Sequence, residues 1–263
     1  MQLSFSYHLT LDFSEPVEDQ YFSFLCLPRE TARQRVLSLT TEVRPAANLS
    51  QDADGSGNPQ LYGVVRAAHR SFDLAVSGTV ETGAALYEEY QDPADVTLVR
   101  YLVPSRYTEP GPALRALYEA AQLSAPAEPY DKLLYYSNCV RESLRYVPAS
   151  TDVRTAAEDA VRLGTGVCQD YAHVLTALLR MAGVPARYVV GIMQGEGESH
   201  AWVEANCRGY WYGIDPTNNT LLTDGYIKFA HGRDYADCMI SRGVFRNPRA
   251  EQSATVTATV TPL

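Results

Sequence analysis

The chain has 263 residues, of which 46% are hydrophobic and 20% charged; this excludes a disordered or fibrous protein, and the length suits two lobes better than one. Twenty-two Lys and Arg stand against 31 Asp and Glu, a formal net charge of −9, which disfavours nucleic acid and anionic membranes as partners because both need a basic field. No apolar run of about 18 residues is long enough to span a bilayer.

The chain opens with Leu3, Phe5, Tyr7, Leu9, Leu11 and Phe13 alternating with Ser4, Ser6, His8, Thr10 and Asp12. That period of two predicts a half-buried strand and has neither the basic tip nor the apolar stretch of a secretory leader, so the expected location is cytoplasmic. Runs at Tyr21–Leu27, Val36–Val43, Leu61–Ala67 and Ser71–Val80 extend the pattern to an antiparallel β-sandwich over residues 1–106. Within it, Asp52, Asp54 and Ser56 have calcium-loop spacing, but Gly63 stands where such a loop needs a bidentate Glu. Ser50–Pro59 therefore reads as a hairpin loop.

Around Pro104–Pro112 the composition turns to Pro, Ser and Gly, and a second lobe is assigned to residues 107–263. Apolar residues at three- and four-residue spacing predict helices over Pro112–Leu123 and Tyr130–Tyr146. Thr155-Ala156-Ala157-Glu158 has capping-box spacing for a short helix that stops at Gly164. A further helix runs from about Cys168 to Ala182, with Gly183 in position to end it. Strands follow at Ala186–Met193, His200–Asn206 and Gly209–Ile214, and an alternating run at Thr255–Thr261 predicts one more. The fold class expected is α+β.

Five cysteines, Cys26, Cys139, Cys168, Cys207 and Cys238, are odd in number and include no CxxC pair, so neither a disulfide framework nor a zinc ribbon is expected. Cys168 differs from the others in its place. It falls in the first turn of a helix, where free amides and the helix dipole favour a thiolate and can receive an oxyanion. His200 begins one strand and Asp215 ends the next, so adjacent antiparallel strands can bring imidazole and carboxylate together. Gly164 and Gly166 leave room for a substrate, and Trp202 is a candidate for lining a groove. A lone cysteine is more often a small buried hydrophobe, and zinc held by Cys168, His200 and Asp215 is a weaker reading because no second thiol or histidine stands at ligand spacing. His173, about 140° round the helix from Cys168, reads as structural. Asp170 complements the helix dipole, and Glu196 and Glu198 sit in a solvated loop, with steering of a basic substrate group as the alternative.

Three segments, GVCQDYAH from Gly166, HAWVE from His200 and IDPTN from Ile214, together resemble the transglutaminase-like cysteine protease superfamily, and the β-rich first lobe is similar to the N-terminal region of its bacterial members. The resemblance implies a papain-like core, a Cys-bearing helix packed on an antiparallel sheet, with Cys168 as nucleophile, His200 as general acid and base, and Asp215 as the carboxylate orienting the imidazole. Gly232–Asp237 also looks like a segment of these proteins, with no chemical role assigned. The expected activity is hydrolysis of a peptide or protein amide through a thioester, without metal or cofactor. The alternatives are γ-glutamyl transfer from protein glutamine to an amine, or a noncatalytic interaction module on the same scaffold.

Overall fold

The computed structural model describes residues 1–263. Strands β1 (Gln2–Phe24), β2 (Gln34–Arg44), β3 (Asn48–Ala53), β4 (Pro59–Val65) and β5 (His69–Thr82) come first, followed by a 3-10 turn at Val96–Tyr101. Then come α1 (Pro112–Gln122), α2 (Pro129–Ser143), β6 (Arg145–Tyr146), α3 (Ala157–Leu163), β7 (Thr165–Gly166) and α4 (Cys168–Met181). The chain ends with β8 (Ala186–Met193), β9 (Gly195–Gly197), β10 (His200–Cys207), β11 (Tyr210–Asp215), β12 (Thr220–Leu221), β13 (Tyr226–Gly232), β14 (Ser241–Arg246) and β15 (Gln252–Pro262). The class is α+β, with antiparallel sheets dominating.

The opening alternation forms its strand because Leu3, Phe5, Tyr7, Leu9, Leu11 and Phe13 are all buried on one face. The two sequence runs at Leu3–Phe13 and Tyr21–Leu27 are largely one 23-residue strand. Its first half pairs with β5 and β15, and its second half, past a bulge between Asp12 and Val17, pairs with β4 and β14. The expected sandwich is thus one eight-stranded sheet folded over on β1. Phe22 and Phe24 meet Phe72 of β5 with ring centroids 4.9 and 5.7 Å apart. Much of the expected Ser50–Pro59 loop is strand, leaving Asp54–Asn58 as the turn, where the Asp54 carboxylate accepts from the amides of Ser56 and Asn58.

A division at residue 107 would place the last strands in the second lobe, yet they complete the first sheet. β15 pairs with Leu3–Phe13 along eleven positions, and β14 pairs with the second half of β1. Without them one edge of β1 would present unpaired amides and carbonyls. Strands β13 and β14 carry no clear alternation and were not foreseen.

The second sheet runs β12-β11-β10-β8-β13, antiparallel throughout. Helix α4 is buried from Asp170 to Arg180, and its apolar residues share a core with Tyr188, Val190, Ala201, Val203 and Ala205 of this sheet. Gly183, at φ +73°, ends the helix as expected. Ile192, Ile227 and Phe229 join the core of the first sheet, and the rings of Tyr7 and Phe229 meet edge-on at 5.7 Å. The two sheets therefore share apolar packing beside the start of α4.

Two local expectations change. Helix α2 stops at Ser143, because Leu144 is extended and its carbonyl accepts from Tyr171 Oη at 2.8 Å; Arg145–Tyr146 then pairs with β7 in parallel. At α3, the N-cap is Ala156 and the capping box does not form. Glu158 instead accepts from the amides of Ala113 and Leu114, both at 2.9 Å, and so caps α1 across the interface. Gly111 permits this, since a Cβ there would stand 2.4 Å from Glu158 Cδ. No helix is long and apolar enough to cross a membrane.

Candidate active site

Cys168 is the first residue of α4, and the helix begins there because of Asp170. That carboxylate accepts from the amide of Val167 at 2.7 Å and from Thr151 Oγ1 at 2.6 Å, a cap delivered from the third helical position. Burial raises the Asp170 pKa against the lowering effect of these bonds. Gly166 makes the cap possible: a Cβ there would lie 2.6 Å from Asp170 Cβ. Its lack of a side chain accommodates Asp170, whereas Gly164, at φ +66°, closes α3 in a left-handed conformation with open space around it. The first amides bonded within α4 are those of Asp170 and Tyr171, both to the Val167 carbonyl at 2.9 and 3.2 Å. The amides of Cys168 and Gln169 thus precede the helical ladder.

His200 opens β10 and Asp215 closes the neighbouring β11. His200 Nε2 donates to Asp215 Oδ2 at 2.7 Å. Burial lowers the His200 pKa, but the hydrogen bond to Asp215 and the influence of Cys168 outweigh it and raise the value to about 10. Asp215 is fully buried and accepts on Oδ2 from Asn218 Nδ2 at 2.7 Å and Tyr226 Oη at 2.9 Å, and on Oδ1 from the Thr217 amide at 2.8 Å. Burial pushes its pKa up; His200, Asn218 and Tyr226 together hold it below the usual carboxylate range. The carboxylate occupies one imidazole nitrogen of His200, and Cys168 and His200 line the same cavity. Asn218 lies within the IDPTN turn, a signal present in the sequence. Tyr226, on the unforeseen β13, had none.

A cavity of about 300 Å³ opens on this group. Cys168 and Gln169 line it from the start of α4, Glu198 and His200 from the entry to β10, and Tyr7 and Val256 from the first sheet. Glu196 and Glu198 are both exposed, as expected, while the backbone of their loop is held by the pairing of β9 with β15. Chemically, the arrangement offers a sulfur nucleophile, an imidazolium able to give and retake a proton, and unused amides beside the sulfur.

The remaining candidates have packing roles. Trp202 is fully buried, 6.5 Å from the His200 ring and edge-on to Tyr226 at 5.5 Å; it supports His200 from beneath and lines no part of the cavity. Trp211 lies under the Arg187 guanidinium at 4.0 Å. His173 stacks between Tyr107 and Tyr188, each at 4.9 Å, and its Nε2 accepts from the Tyr235 amide. Burial and Arg180 lower its pKa to about 3, so it is neutral and fixes the Gly232–Asp237 segment, which the Arg233–Asp237 ion pair closes. Arg180, which sequence reasoning missed, donates to the carbonyls of Tyr101, Ala186 and Arg233 and ties the interlobe segment to α4. Burial raises the thiol pKa of Cys26 and of Cys207 to about 12 and pushes those of Cys139 and Cys238 upward.

Comparison with known proteins places these features. The transglutaminase-like superfamily core model matches residues 118–216, and the bacterial transglutaminase-like N-terminal region model matches residues 3–81. An uncharacterized protein of Mycobacterium leprae is 29% identical over 251 residues, covering 89% of each chain. One of Mycobacterium tuberculosis is 29% identical over 280 residues, covering 95% of this chain and 89% of its own. A crystal structure of a candidate cysteine protease from Cytophaga hutchinsonii aligns with 100% of this chain and 93% of its own, with a TM-score of 0.80 at 23% identity, a likeness of fold. Residues 118–216 form a transglutaminase-like superfamily core, and residues 3–81 carry the bacterial transglutaminase-like N-terminal region ahead of it.

Proposed function

We propose that this protein is a cysteine-dependent hydrolase of amide or peptide bonds, acting through a thioester on Cys168. The observation that carries the reading is the hydrogen bond from His200 to a fully buried Asp215 held in its ionised form, with Cys168 and His200 lining one cavity. The Cys168 thiolate attacks the carbonyl carbon, and the unused amide of Cys168 receives the developing oxyanion. His200 passes its proton to the amide nitrogen as the C–N bond breaks and the amine departs. Water then adds to the thioester and gives a proton to His200, and the C–S bond breaks to release the acid. Asp215 keeps the imidazole in the tautomer and orientation this exchange requires.

The test is alkylation by iodoacetamide across pH with peptide mapping, beside turnover of peptidyl amides. Cys168 is expected to label first near neutral pH, since burial holds the other four thiols protonated, and His200→Ala slows that labelling. Cys168→Ala should remove turnover by about 10⁴-fold or more with little change in thermal midpoint. A fluorescent primary amine in the same assay stays unincorporated if water is the acceptor. Slow, equal labelling of all five thiols overturns the reading.

A further inference from the structure

The wall facing Cys168 belongs to the other lobe. Tyr7 on β1 and Val256 on β15 come from the first sheet, while Val190 and Ile240 continue the apolar lining. At about 300 Å³ the cavity is at the small end of ligand sites, the size for one long side chain rather than a folded ligand. Apart from His200, its only charged residue is Glu198. Glu198 is exposed and forms no ion pair or hydrogen bond within the protein, whereas Asp19, Glu81 and Asp237 are among the carboxylates paired with arginines. Its position is held, because Gly197 beside it pairs with Ala258 of β15. Glu198 and Tyr7 line the same cavity, so the carboxylate and the apolar wall bound one space.

We propose that the cleft selects a substrate chain with an apolar stem and a cationic end, of the lysine class, with the stem against the β1–β15 wall and the ammonium at Glu198. This rests on Cys168 being the reactive centre. A carboxylate with no partner at the rim of an apolar slot attracts a cation, and the chain's net charge of −9 adds long-range attraction of the same sign. A neutral stem of equal length keeps the apolar contact and loses the ion pair; an acidic one meets repulsion.

The experiment uses three iodoacetamides on the intact protein, bearing aminohexyl, hexyl and carboxypentyl tails, and reads the rate at which each alkylates Cys168 through displacement of iodide. The expected order is aminohexyl, then hexyl, then carboxypentyl, with about a fivefold step between the first two at low salt that shrinks as salt is added. Glu198→Gln should abolish the preference, bringing the aminohexyl rate to the hexyl rate measured on the same variant. Glu42→Gln, an exposed carboxylate on β2, removes the same net charge and should preserve the preference. Equal rates for the three tails on a reactive Cys168, or equal loss in both variants, overturn the proposal alone. A Cys168 that reacts with none of the probes faster than the other thiols overturns the catalytic reading, and the proposal with it.

Discussion

Strand β10 contributes to two buried polar clusters, and only one of them reads as chemical machinery. His200 at its start bonds Asp215 and lines a cavity with Cys168. Four residues on, Glu204 accepts from Arg187 Nε of β8 at 2.6 Å and from Lys228 Nζ of β13 at 2.7 Å. Arg187 also pairs with Glu89. The Glu204 cluster has the more deeply buried charges, and a polar hollow of about 350 Å³ lies beside Arg187 as well. Perturbed titration and a nearby cavity therefore do not separate the two. What separates them is bonding capacity: Glu204 spends both oxygens on cations of β8 and β13, clipping three strands together, whereas His200 spends one nitrogen on Asp215 and shares a cavity wall with Cys168.

The largest expected effect is on the sealed cluster. Glu204→Gln leaves Lys228 buried without its ion-pair partner and Arg187 with Glu89 alone, and should lower unfolding free energy by about 3–5 kcal/mol, read as a fall in the urea midpoint. Burial already lowers the Lys228 pKa, so the loss should shrink as pH rises and the ammonium sheds its proton. If the urea midpoint holds while turnover disappears, the two clusters have been assigned the wrong way round.

The open cluster should respond in rate and in pH profile. Asp215→Asn retains the shape but removes the charge that, with Cys168, raises the His200 pKa to about 10; turnover should fall about 10²-fold, or about 2.7 kcal/mol in barrier. The sign follows from the direction of each shift. His200, with a folded value above its unfolded value of about 6.5, adds stability that is complete below about pH 6.5 and lost as pH rises through about 10. Asp215, held low, adds stability that is present above about pH 3.9 and lost as pH falls through its folded value. In the variant, the basic limb of activity and the alkaline loss of stability should both move down from about pH 10. An unmoved basic limb would separate His200 from the proton transfer.

The sequence made the open cluster easier to read than the sealed one. Cys168, His200 and Asp215 stand at element ends in short segments, so each could be placed from local pattern alone. Glu204 lies inside the same HAWVE segment, but its partners are 17 and 24 residues away, and Lys228 and His231 interrupt what would otherwise be a plain apolar run in β13. The alternation of β15 marked a strand without naming its partner, because register with β1 is a long-range choice. Glu158 had the spacing of a cap for its own helix and serves another, since only the assembled fold brings the start of α1 to it. Trp202 has the exposure of a core residue, which a strand period of two leaves undecided when both faces of the sheet are covered.

The smallest expected effect distinguishes two uses of glycine beside the sulfur. In Gly166→Ala the new methyl group meets Asp170 at 2.6 Å from Cβ and 2.8 Å from Oδ2, so either the carboxylate leaves Val167 and Thr151 or the first turn of α4 shifts and carries Cys168 with it. Stability should fall by about 1–3 kcal/mol, and alkylation of Cys168 by plain iodoacetamide should slow. Gly164→Ala has open space and a left-handed backbone, and should cost about 1 kcal/mol without altering the labelling rate. Were Gly166 there to clear a path for substrate, the small reagent would react unchanged and only turnover of a peptidyl amide would drop. Slower labelling together with a lower urea midpoint instead ties the glycine to the Asp170 cap, and through it to the placement of the sulfur.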